Sequence, residues 1–156
     1  MLHTTCCVFG HRTINETEDL RKKLKSAIEK LITERAVDTF LFGSKSRFDD
    51  LCLELVTELR EKYPHDKRIY VRAEYPHIND SYKAYLLTLY EDSYYPERIL
   101  AAGKSVYVER NCEMIDSSQF CLVYYDASNT PSTRRSGTKI ALDYAVKKKR
   151  ELLIFP

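Results

Sequence analysis

Glycine is scarce in this chain, with only four among 156 residues. Long apolar runs are missing, and none approaches the roughly 20 residues of a membrane-spanning helix. The first residues, MLHTTCCVF, lack both a basic region and a small-residue cleavage site, so no secretory leader is expected. Neither sign of charge is in excess: 25 Lys and Arg face 23 Asp and Glu, for a formal charge of +2. That balance argues against a protein that holds duplex DNA by bulk phosphate neutralisation. The five cysteines form no C-x-x-C and pair with no histidine at zinc-ligand spacing, so neither a metal nor a disulfide framework is expected. Buried thiols in a reducing cytoplasm fit instead. Both G-x-G-x-x-G and G-x-x-x-x-G-K-[ST] are absent, which removes the dinucleotide fingerprint and the Walker A loop. What remains is an ordinary globular composition, 44% hydrophobic, at a length that suits one domain over residues 1–156.

Apolar residues recur with two periods. His3 to Phe9, Thr39 to Phe42, Arg68 to Ala73, Phe120 to Tyr125 and Leu152 to Phe155 read as short strands. Between them lie helical stripes. Leu20, Leu24, Ala27, Ile28, Leu31 and Ile32 mark one, with Asn15 or Thr17 as its cap. Leu51, Cys52, Leu55, Val56 and Leu59 mark a second, stopped at Tyr63-Pro64. Val108, Cys112 and Ile115 mark a third; Ile140, Ala141, Tyr144 and Ala145 a fourth. The tyrosine-rich stretch at about 74–103 breaks the pattern. It reads as a long connection with a short helix between Lys83 and Tyr90, suited to functional or subunit contacts. Strands alternating with helices of this length predict a three-layer Rossmann-like α/β domain with a mostly parallel sheet of about five strands.

Gly10, Gly43 and Gly137 each stand where a strand hands over to a helix. All three junctions belong to the carboxyl edge of such a sheet, where ligands bind. Glycine there admits a close backbone approach, and each following helix offers free N–H groups to an anion. The junctions read Gly10-His11-Arg12, Gly43-Ser44-Lys45-Ser46-Arg47-Phe48-Asp49 and Arg134-Arg135-Ser136-Gly137-Thr138. Brought to one crevice they predict basic side chains from Arg12, Lys45, Arg47, Arg134 and Arg135, with donors from Ser44 and Ser136 to Thr138. A phosphate or diphosphate carrying a sugar and a base suits that set. Asp49 is a candidate acceptor for ribose hydroxyls, His11 a candidate acid/base or a polar cap, and Asn111 and Asp116 candidates for the same edge.

In their order along the chain these residues resemble the SLOG superfamily, which holds the LOG phosphoribohydrolases and the DNA-processing protein A-like Rossmann domains. The likeness is to the small, mostly uncharacterised bacterial members. It rests on Cys6-Cys7-Val8-Phe9-Gly10-His11-Arg12, on Phe42-Gly43 with Phe48-Asp49-Asp50-Leu51, on Arg110-Asn111 with Met114-Ile115-Asp116, and on Ser136-Gly137-Thr138 with Ala141 and Tyr144-Ala145. The resemblance implies a Rossmann-like fold, a nucleotide-derived ligand and a homo-oligomer. In the LOG enzymes a P-G-G-x-G-T-x-x-E motif supplies the glutamate for N-glycosidic cleavage; here that position is Ala141, and Asp143 lies about 200° round the helix from it.

The leading expectation is a non-catalytic sensor or sequestering protein for a nucleotide or nucleotide-derived ligand, ADP-ribose-like or cyclic, with no cofactor. A nucleotide N-glycosidase using Asp49, His11 or Asp116 is the alternative, and single-stranded nucleic-acid binding a second one.

Overall fold

The computed structural model describes residues 3–100, 103, 105–129 and 136–156. Six strands form one sheet: β1 (Thr5–Gly10), β2 (Thr39–Phe42), β3 (Lys67–Val71), β4 (Asp92–Tyr94), β5 (Phe120–Tyr124) and β6 (Glu151–Phe155). Five α-helices connect them: α1 (Glu18–Glu34), α2 (Arg47–Leu59), α3 (Asp80–Leu86), α4 (Ser105–Asp116) and α5 (Gly137–Lys147). The strand order is β4-β3-β2-β1-β5-β6, and every pairing is parallel. The chain thus steps outward from β1 to β4, then returns through α4 to lay β5 on the other side of β1. That reversal is the topological switch point of a three-layer Rossmann-like fold.

Alternation along β1 divides the core. Cys6 and Val8 point to the layer of α1 and α2, where Leu24, Ile28, Leu51 and Leu55 are wholly buried. Cys7 and Phe9 point to the opposite layer, against Met114 and Ile115 of α4 and Ala141 and Ala145 of α5. Burying each of those leucines and isoleucines is worth about 1.5–3 kcal/mol, so the two helical layers hold the central strands from both sides. Strands covered on both faces need continuous apolar sequence, which is why β1 and β5 read as runs rather than as alternation. Four of the five thiols lie in this core, and Cys7 Sγ sits 3.5 Å from Cys121 Sγ across paired strands. Thr17 caps α1, its hydroxyl accepting from the Leu20 N–H at 3.0 Å.

The structure departs from the sequence reading in three places. A sixth strand, β4, lies inside the segment read as a connection, and the short helix there begins earlier, at Asp80. Three polar or half-buried residues on a sheet edge carry no apolar signature, so β4 exists only through its pairing with β3. The third difference is the face α4 buries. Val106, Arg110, Met114 and Ile115 are inward, while Val108 is exposed and Cys112 half-buried. An arginine interrupts the true stripe and hides it. Among the described residues no helix is long and apolar enough to cross a membrane.

Candidate functional site

A cleft of about 720 Å³ opens at the carboxyl edge of the sheet, within the size range of small-molecule sites. The turn after β1 contributes Gly10, His11 and Arg12, and the turn after β2 contributes Gly43 to Ser46. Tyr70 and Glu74 come from the end of β3 and beyond it. Tyr107, Arg110 and Asn111 reach down from the first half of α4, and Ser136, Gly137 and Thr138 open α5. Ser136 caps that helix by accepting from the Lys139 N–H at 3.1 Å, and the positive end of the helix dipole lies at the cleft wall.

Four of the residues singled out in the sequence, Arg47, Phe48, Asp49 and Asp116, do not line the cleft. Arg47 turns away into a bidentate pair with Glu16, at 2.6 and 2.7 Å. Phe48 is wholly buried against Tyr124, with ring centroids 5.6 Å apart. Asp49 is buried behind the turn it was expected to serve. Its Oδ2 accepts from the N–H groups of Gly43 and Ser44, both at 3.2 Å, and its Oδ1 from the hydroxyls of Ser44 and Ser46 at 2.9 and 3.1 Å. Both oxygens are committed to the chain's own turn, so Asp49 positions that turn. Burial pushes its carboxyl up to about 6, against the pull of the Ser44, Gly43 and Ser46 hydrogen bonds. The signal was present: Ser46 and Asp49 have the spacing of a capping box, and the Asp49 N–H returns a bond to Ser46 Oγ at 3.1 Å.

Asp116 lies at the opposite edge, because α4 runs back across the sheet; it binds Tyr144 Oη, Arg98 and Lys148 there. His11 does face the cleft. Its Nε2 accepts from the Asp126 N–H at 2.9 Å, which puts the ring proton on Nδ1 and makes the ring a brace between two loops. Asn111 lines the cleft as expected, and its Oδ1 accepts from Arg110 Nε at 3.2 Å. Arg134 and Arg135 lie outside the described residues.

The two glycines nearest the switch point serve packing rather than ligand approach. A Cβ on Gly10 would stand 2.7 Å from the Phe48 ring and 3.0 Å from Tyr124 Cβ. A Cβ on Gly43 would meet Met114 Sδ at 2.7 Å and Arg110 Nε at 2.8 Å. A Cβ on Gly137 would meet nothing. Gly10→Ala is therefore expected to lose about 1–3 kcal/mol of stability, since the packed Phe48 ring and the Tyr124 Cβ have no room to give. Gly43→Ala should lose less, because the far ends of Met114 and Arg110 can swing. Gly137→Ala should melt no lower than wild type. Urea unfolding of the three variants checks the ranking, and equal midpoints would refute it.

Arg110 belongs to the motif that carries the resemblance, yet it is not among the site residues expected from the sequence. It is 5% exposed, its Nη1 donates to the Gly43 carbonyl at 2.5 Å, and its guanidinium carbon lies 5.6 Å from the Tyr107 ring centre. Among the described residues no carboxylate comes within ion-pair distance of it, and burial pulls its pKa down. A buried cation without a counter-charge is costly unless something supplies one. Arg12 and Lys45 beside it likewise form no ion pair among the described residues, and Glu74 is the one carboxylate among the described residues lining the cleft. The cleft is thus a basic, partly enclosed site with hydroxyl and backbone donors on one wall and tyrosines on the other. Among the described residues no three His, Cys, Asp or Glu side chains converge to hold a metal ion. Comparison with models of protein families and with curated proteins returns no match.

Proposed function

We propose that this chain binds a nucleotide or nucleotide-derived anion in the cleft at the carboxyl edge, as a SLOG-like sensor or sequestering protein without catalysis. The homo-oligomer that accompanies the resemblance, and the cytoplasmic setting read from the thiols, belong to the same proposal. The observation that carries it is Arg110, a buried cation that faces the cleft with no carboxylate partner among the described residues. A phosphate is the counter-ion that the surroundings fit. Arg12 and Lys45 add charge, the hydroxyls of Ser136 and Thr138 add donors, and the start of α5 adds a favourable dipole. The aromatic wall suits a base.

Cleavage of an N-glycosidic bond has less support. Ala141 stands at the glutamate position, Asp49 is spent on its own turn, and Asp116 is at the far edge. A thermal-shift panel of nucleoside mono- and diphosphates, ADP-ribose and cyclic dinucleotides, with chromatography of each sample for released base, tests both statements. A ligand present at 100 times its Kd should raise stability by about 2.7 kcal/mol and be recovered intact. Gly137→Val should keep the fold and lose the shift, since its side chain enters open space on the cleft wall. Released base would overturn the non-catalytic reading, and silence across the panel would overturn the site.

A further inference from the structure

The cleft continues into a side lobe walled by Tyr70, Tyr75, Tyr82 and Tyr107, with Lys45, Arg110 and Glu74 shared between the two spaces. Resting on the nucleotide reading above, we infer that the base lies across the mouth of this lobe, whose volume of about 80 Å³ admits one edge of a purine, and that Glu74 selects guanine. The lobe's walls are fixed from behind. Tyr70 stacks on Tyr90 at 5.4 Å, and Tyr82 on Tyr85 at 6.3 Å. Arg72 donates to the Tyr75 carbonyl at 3.0 Å and to Ser93 Oγ at 3.0 Å, tying the turn that carries Glu74 and Tyr75 to β4.

An aromatic enclosure with one carboxylate also suits an organic cation. Three cations border this one, Lys45, Arg72 and Arg110, and they would repel such a guest. A neutral planar base with both donors and acceptors avoids that conflict. Glu74 takes the Tyr107 hydroxyl on Oε1, and Oε2 has no partner among the described residues. A carboxylate accepts and never donates. Guanine presents N1–H and the N2 amino group side by side, so one carboxylate can receive both. Its O6 and N7 accept, matching Lys45, in the pairing by which Lys reads guanine elsewhere, while Arg110 stays with the phosphate. Adenine would set its N1 lone pair against the carboxylate and offers only its N6 amino group.

Calorimetric titration of the intact protein with GMP, GDP, AMP and ADP tests the assignment. The guanine nucleotides are expected to bind at least about tenfold more tightly than their adenine counterparts. Glu74→Gln removes one acceptor of the paired guanine N–H groups and adds a donor, so it should weaken GMP and GDP by at least about tenfold and erase their advantage over AMP and ADP. Equal or tighter adenine binding by wild type would overturn guanine selection and leave the nucleotide site standing. A guanine preference that persists in Glu74→Gln would remove Glu74 from the assignment. Failure of all four to bind would overturn guanine selection, and silence across the wider panel as well would overturn the nucleotide reading itself.

Discussion

Replacing Arg110 by methionine is expected to weaken nucleotide binding roughly 10- to 150-fold without lowering the melting temperature of the free protein. The first half follows from charge-assisted hydrogen bonds, each worth about 1.5–3 kcal/mol when the acceptor is ionised. The second half follows from burial. Arg110 is 5% exposed and donates two hydrogen bonds to neutral acceptors, the Gly43 carbonyl and Asn111 Oδ1, with no ion pair among the described residues. Methionine fills much of the same volume beside Met114 and removes a buried charge that Asp49 and Glu74 offset only from beyond ion-pair distance. It also leaves the Gly43 carbonyl without its donor, at about 1–3 kcal/mol, so the two effects oppose and the net change is small or stabilising. Scanning calorimetry and a ligand titration on one preparation read both halves. A variant that melts well below wild type yet binds normally would make Arg110 a strut for the Gly43 turn, with no part in the site.

Asp49→Asn is expected to remove a fall in stability that wild type shows as pH rises from 4 to 6. In the folded protein the Asp49 carboxyl titrates near 6, against an ordinary value of 3.8. Between those two pH values the folded state holds the proton more tightly than the unfolded chain does. Its stabilising contribution is therefore complete below pH 3.8 and is lost as pH rises through 6, an amount on the order of 3 kcal/mol. Asparagine does not titrate, and its amide retains an oxygen for the Gly43 and Ser44 N–H groups. The difference in unfolding free energy between wild type and Asp49→Asn should change across pH 4–6 and stay level above pH 7. Asp66, also pushed up to about 6 by burial, titrates in the same window. It precedes β3 at the opposite edge of the sheet, so its contribution cancels in that difference. A flat difference across the window would mean that Asp49 is ionised in the fold at little cost.

Asp49 also separates what a linear motif can reveal from what it cannot. Its spacing from Ser46 marks a helix cap, and its place after Phe42-Gly43 marks the sheet edge. Nothing in the spacing tells a carboxylate that faces a ligand from one that faces its own backbone. The choice is made by the Gly43-to-Ser46 turn, which curls over the side chain and supplies four donors. Arg47 is the same case with the opposite sign. Its charge belongs to the expected basic set, yet Glu16 lies on the adjacent loop and takes it.

By itself the sequence determined the layers and the edge. Two periodicities place strands and helices in alternation, and that alternation forces parallel strands with Gly10, Gly43 and Gly137 at one edge, because every strand then ends on the same side. Only the tertiary structure decided which side chains face the cleft. The inward turn of α4 placed Arg110 against Gly43, and the pairing of β4 with β3 held Glu74 and the tyrosines at the far end of the cleft. Both depend on contacts between segments distant in the chain, where a single side chain's length and neighbours set its direction and no local period records them.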